Sequence, residues 1–414
     1  MNHENYIISF EETLKDDIFS KLKGNIVNKI LKDAKIDKWE NHYKYLLEGY
    51  SFQVTPEIAP ELYQLFELVR KKIEYNEDVN YYITNSAETN AFCVSKLEDD
   101  ETNLMVLHSE LLERLTNEEL KFIIGHEFGH LINKNNEIKR TIQFLFPDDN
   151  QIPLVLHHKI KLWDQLSELS ADRFGFIACE SINTILSTFL KLSSGLDPEN
   201  IGFNMEAYLQ QNLEKVELLK RGELLSQLSH PFNPARIKAL DLFAKSELNQ
   251  SNDKPEMDSK QLEAAIKELI DIIMFSSTDE LDIHRQYFIA TAGLIAGGLD
   301  KKISEKEYKH IVDMLAGYMS FPKVFLETVF QSDKIHEYFE TSIKALMKLN
   351  PQERYGMFSY LINVLMADRY LYEYEIDFLY KIGEKKFGFT RKEIAQRIAQ
   401  QLQDQFVPDV LSSE

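Results

Sequence analysis

Thr116-Asn117-Glu118-Glu119-Leu120-Lys121-Phe122-Ile123-Ile124-Gly125-His126-Glu127-Phe128-Gly129-His130 opens with a capping box and closes with H-E-x-x-H. Thr116 is placed as N-cap, with Glu119 reaching back to its amide. Apolar residues recur at Leu120, Ile123, Ile124, Phe128 and Leu131, a helical rather than a strand period. Polar Asn133, Lys134, Asn135 and Asn136 end the run. Residues four apart on a helix stand one above the other. His126 and His130 can therefore reach one metal ion, with Glu127 beside a water bound to it. The apolar stripe is expected to bury one side of this helix beneath the metal.

A catalytic zinc takes three protein ligands and keeps one position open. The longer pattern H-E-x-x-H-x-x-G-x-x-H fails, because Asn133 and Asn136 occupy its glycine and histidine positions. Downstream, Leu162 to Gly175 reads as a second amphipathic helix on which Glu168 and Asp172, four apart, share a face. Glu168 could supply the third ligand, and Asp172 could accept a hydrogen bond from a zinc-binding imidazole. Glu137, Asp148, Asp149, His157 and His158 also lie within reach, and geometry alone does not remove them.

Glu168-Leu169-Ser170-Ala171-Asp172-Arg173 after an H-E-x-x-H resembles the E-x-x-A-D-R motif of the HtpX and CAAX-prenyl-endopeptidase family of zinc metallopeptidases. Asn90-Ala91-Phe92 resembles that family's N-A-F element on the strand beside the cleft. His108 to Thr116 resembles the stretch leading into its active-site helix, and Ser229-His230-Pro231 with Arg236-Ile237 resembles its late H-P…R-I element. These blocks span roughly residues 56 to 246. The resemblance implies a gluzincin-type site: one Zn²⁺ on His126, His130 and Glu168, and Glu127 as base. It also offers His230 and Arg236 as catalytic residues, one near the developing oxyanion and the other anchoring its segment or the substrate.

The better-known members of that family carry transmembrane helices. Here Phe144 to Pro147, Pro153 to Leu156 and Phe288 to Leu299 all fall short of the roughly 20 apolar residues that span a bilayer. Met1-Asn2-His3-Glu4-Asn5 lacks the basic start and apolar core of a signal peptide. Two cysteines, Cys93 and Cys179, argue against a disulfide framework. A soluble, cytoplasmic protein without a membrane span is expected. The net charge of −20 disfavours a nucleic-acid partner, which needs clustered Lys and Arg.

The expected fold class is mainly α (α+β), and 414 residues allow two or three domains. Residues 1–55 read as a helical segment packing on the core, with Phe10, Leu14, Ile18, Leu22, Ile26 and Ile30 as its stripe. Residues 56–246 form the peptidase domain, with strands over Val79 to Thr84, Ala91 to Val94 and Leu104 to His108. An edge strand of that sheet can hold an extended peptide by backbone hydrogen bonds, which places Asn90, Ala91 and Phe92 at the substrate. A polar stretch ended by Pro255 suggests a linker over 247–260.

Residues 261–414 read as helical and hold a repeat, D-x-x-[I/L]-x-x-x-E, at Asp300 to Glu307 and Asp368 to Glu375. It resembles the paired turns of the TerB-like domain of tellurite-resistance proteins, although Lys301 and Arg369 replace that domain's glycine. Asp300, Glu307, Asp368 and Glu375 could form a metal or partner site. The plainer reading, that they end and cap helices, is favoured. The whole then reads as a zinc metalloendopeptidase acting on a peptide or protein, with a C-terminal domain that regulates or targets it, through a protein partner for example. A latent peptidase awaiting a signal and a non-enzymatic zinc-containing binding module are the alternatives.

Overall fold

The computed structural model describes residues 1–34, 38–96, 102–220, 232–274, 279–299, 302–368 and 371–405. The chain divides into two compact units, 1–274 and 275–414. Both are mainly helical, and the first holds one small sheet. The α+β expectation is met.

Strands β1 (Phe52–Val54), β2 (Val79–Thr84), β3 (Ala91–Val94) and β4 (Asn103–His108) lie in the order β1-β2-β4-β3. β2 and β4 are parallel; β1 and β3 run antiparallel to their neighbours, which leaves β3 at the edge. Side chains alternate between the faces of a strand. Phe92 and Val94 pack with Leu47, Tyr82, Leu104 and Val106 on one face. Cys93, opposite Met105, therefore points to the other, towards the H-E-x-x-H helix.

That helix, the motif helix, spans Asn117–Ile132, and the Thr116–Glu119 capping box forms in both directions. Glu119 is buried and also accepts from Lys191 Nζ at 3.0 Å and Ser187 Oγ at 2.5 Å. The expectation of one buried side is too modest, because Phe122, Gly125 and Gly129 are buried as well. A long partner helix, Leu154–Cys179, covers them. It begins earlier and ends later than the stretch Leu162 to Gly175 read from the sequence.

Small residues let the two helices approach closely. A methyl on Gly125 would sit 2.6 Å from Cβ of Ala178, one on Gly129 2.8 Å from Cα of Ala171, and one on Gly175 2.7 Å from the Phe122 ring.

The N-terminal stripe holds only in part. Leu14, Ile18 and Leu22 are buried, but Ile26 and Ile30 are more than half exposed. Lys23 has φ 51°, so the helix Ser9–Lys21 stops and the helix Gly24–Ala34 starts in a new phase. The linker expected over 247–260 leads into the helix Ser259–Ile273, which packs on the helix Asn233–Lys245 and belongs to the first unit rather than the C-terminal one.

The second unit is a bundle around the helix Glu280–Gly297, where Phe288, Ile289, Ala290 and Ala292 are buried. Gly293 leaves room for Ile311 and the Tyr360 hydroxyl, which donates to the Ile289 carbonyl at 2.7 Å. No helix among the described residues is long and apolar enough to cross a membrane.

Candidate metal centre

Three side chains converge where the motif helix meets its partner. Nε2 of His126 and Nε2 of His130 are 3.1 Å apart. The Glu168 carboxylate lies 3.5 Å from the first and 3.3 Å from the second. Among the described residues this is the one group of three whose ligand atoms all lie within 4.8 Å of one another. Glu137 is bonded to Asn28, Asp148 caps a turn, and His157 and His158 pair with each other. The ligand set that spacing left open is thus narrowed by geometry.

The back of the cluster is built to hold it. Asp172 is fully buried and accepts from Nδ1 of His126 at 2.9 Å, which turns Nε2 towards the cluster. Arg236 donates to Asp172 from Nε at 2.8 Å and Nη2 at 2.5 Å. Its guanidinium lies over the Phe189 ring and 3.9 Å from Glu168. Arg236 is thus committed to the rear of the site. Burial opposes the charge on Asp172, yet Arg236 and His126 hold its carboxyl below the usual range.

The electrostatics ask for a cation. Burial would strip the proton from His126, but Asp172 and Glu168 overcome it and lift the pKa to about 10. Burial likewise raises Glu168, and the two imidazoles outweigh it and hold it well below the ordinary carboxylate range. Packed nitrogens and a carboxylate that stabilise added positive charge form a donor set suited to Zn²⁺.

One orphaned atom supports the fit. Nδ2 of Asn135 lies 3.1 Å from Nδ1 of His130, while its buried Oδ1 has no partner. Turning that amide by 180° lets Oδ1 accept from Nδ1–H, freeing Nε2 of His130 for a metal.

Glu127 is buried beside this cluster, and the Cys93 thiol faces its carboxylate. Burial, followed by that carboxylate, pushes the thiol well above its ordinary pKa. Asn136, at the expected histidine position, donates instead to the Cys93 carbonyl at 3.0 Å and ties β3 to the site. Asn90 precedes β3 and accepts from the His108 amide through its carbonyl. Ala91 is half-buried, and Phe92 turns to the far face of the sheet. The asparagines after the motif read in sequence only as a helix end; their roles here depend on partners distant in the chain.

His230 and Asp300 lie outside the described residues. Glu307 accepts from the Ser304 amide and Glu375 from the Tyr372 amide, each capping its own helix. That is the plainer reading of the repeat for those two glutamates.

A model of peptidase family M48 matches residues 56–148, which include β2, β3, β4 and the H-E-x-x-H. The chain is also similar to the plastoglobule-localized metallopeptidase 48, chloroplastic, of Arabidopsis thaliana, at 26% identity over 184 residues. That alignment covers 41% of this chain and 53% of the relative, so the chain spans about half the length of the curated relative it matches. No solved structure matches. These matches bear out the resemblance to a zinc metallopeptidase family, while the family match stops short of the C-terminal bundle.

Proposed function

We propose that the chain is a zinc-dependent metalloendopeptidase holding one Zn²⁺ through His126, His130 and Glu168, with Glu127 as general base. The observation that carries this reading is the convergence of those three ligands beside Glu127, with Asp172 and Arg236 fixing His126 from behind. Zinc, when bound in such a site, supplies a Lewis acid that lowers the pKa of water to about 7.

The remaining work falls to the chain. The Glu127 carboxylate takes the proton of the attacking water and passes it to the leaving amine. Asp172 keeps the His126 proton on Nδ1 and Arg236 keeps Asp172 charged, a positioning rather than a reacting role. His230 is proposed as a further donor to the developing oxyanion, on resemblance. The edge strand β3, introduced by Asn90 and Ala91, would pair with an extended peptide through its backbone, which tolerates many side chains.

The substrate is therefore a peptide or protein, with residues 275–414 as a TerB-like domain that regulates or targets the peptidase through a partner. A cytoplasmic location is proposed with it, on the sequence reading alone. An intact base beside the ligands disfavours a purely structural zinc.

The test is metal analysis of the purified chain joined to cleavage of a peptide library. One zinc per chain is expected, with cleavage abolished by a chelator and restored by added zinc. Zinc-loaded protein that cleaves no peptide would remove the endopeptidase reading.

A further inference from the structure

Glu11 is a fully buried carboxylate on the helix Ser9–Lys21, far in sequence from the site. Its Oε1 accepts from Nδ2 of Asn133 and its Oε2 from Oγ of Ser170 at 2.5 Å. Asn133 closes the motif helix just past His130, its amide donating to Gly129 at 3.0 Å. Ser170 lies between Glu168 and Asp172 on the partner helix. The Ile8 amide donates to the same Ser170 oxygen at 3.0 Å, and Lys15 Nζ donates to the Asn133 carbonyl at 2.5 Å.

We propose that Glu11 is a positioning residue of the metal centre, tying the end of the helix that carries His126 and His130 to the helix that carries Glu168. The proposal rests on reading that cluster as a metal centre. Glu11 makes one bond to each ligand-bearing helix, and both bonds are buried. The N-terminal segment is thereby part of the site rather than an appendage.

The energetics favour this over a packing role. The groups facing Glu11 are Lys15 on its own helix, Ser170 and Arg173 on the partner helix, and Asn133 at the end of the motif helix. Burial outweighs them all and pushes its carboxyl up to about 7. A charge kept there at neutral pH costs the fold, and an apolar residue would pack with less penalty. Groups that break the local rule in this way are expected at functional or strained sites.

The test uses Co²⁺ on the full chain, with affinity read by chelator competition and ligand geometry by the visible ligand-field band. The thermal midpoint of the metal-free chain is a separate readout. Glu11→Ala and Ser170→Ala are expected to weaken Co²⁺ binding about tenfold and to change the band. Glu11→Gln, which keeps the shape and both hydrogen-bond partners, should restore most of the affinity. Should Glu11→Ala not fold, Ser170→Ala reads the same bond. Variants with a lower midpoint but wild-type affinity and an unchanged band would assign Glu11 to the core and overturn the proposal. A wild-type chain that takes up no Co²⁺ would overturn the metal-centre reading, and the positioning role of Glu11 with it.

Discussion

Replacing Gly129 by alanine sets two effects of known size against each other. In a helix interior the exchange gains about 1 kcal/mol from propensity alone. Here the new methyl would lie 2.8 Å from Cα of Ala171 and 3.0 Å from the Phe174 ring. Carbon atoms settle at about 3.5–4.0 Å, so the helices must part by about 1 Å at that point. The obstacle is a backbone atom that no rotamer change can move, and overpacking of this kind costs about 1–3 kcal/mol. Overpacking should at least cancel that gain, with a net loss of about 0–2 kcal/mol.

The same displacement separates His130 from Glu168, and metal sites tolerate ligand shifts of only about 0.2 Å. Zinc affinity should therefore fall by more than about tenfold. Urea unfolding of the metal-free chain, followed by the fluorescence of fully buried Trp163, gives the stability; chelator competition gives the affinity. Gly49→Ala, whose methyl meets nothing within 4 Å, is the control and should be neutral or mildly stabilising. A Gly129→Ala chain that gains stability and holds zinc as tightly as wild type would refute the close contact.

Three further outcomes are expected. Asp172→Asn removes the charge that Arg236 and His126 share, and should cost about 3 kcal/mol and about 10–100-fold in zinc affinity by chelator competition; unchanged affinity would deny Asp172 its orienting role. Lys191→Met leaves the Glu119 carboxylate buried without its cation and should cost about 3 kcal/mol in urea unfolding, whereas a near-zero loss would mean that Thr116 and Ser187 suffice. Glu11, raised in the fold from 4.5 to about 7, stabilises the folded state fully below pH 4.5 and loses that contribution as the pH rises through 7. The metal-free wild type should thus lose about 3 kcal/mol relative to Glu11→Gln between pH 4 and 8, and a flat difference in unfolding free energy would show that Glu11 does not titrate in this range.

Local signals were legible where the physics is local. Thr116 and Glu119 are three residues apart and cap one helix, so its start and end could be read directly. The strands read over Val79 to Thr84 and Ala91 to Val94 are β2 and β3 with those bounds, but β1 is three residues long and too short to show a period. Spacing left Glu168 among several acidic and histidine residues, because helical phase cannot say which helix the motif meets. The pairing of Gly125 and Gly129 with Ala171 and Gly175 was present in the sequence as small residues four apart. It gains meaning only once those two helices are known to touch. Glu11, Asn133 and Asn136 were illegible for the same reason, since each bond joins residues far apart in the chain. Lys23 hid the break in the N-terminal stripe because nothing in its side chain announces a left-handed backbone.

The central claim is that a buried carboxylate beside three converging ligands moves the proton of a hydrolysis. Glu127→Gln keeps the size of the side chain and leaves His126, His130 and Glu168 in place. Zinc content should therefore match wild type while proteome-wide cleavage-site profiling registers a loss of at least about a hundredfold. A Glu127→Gln chain that holds zinc and cleaves the same sites at the wild-type rate would contradict the account.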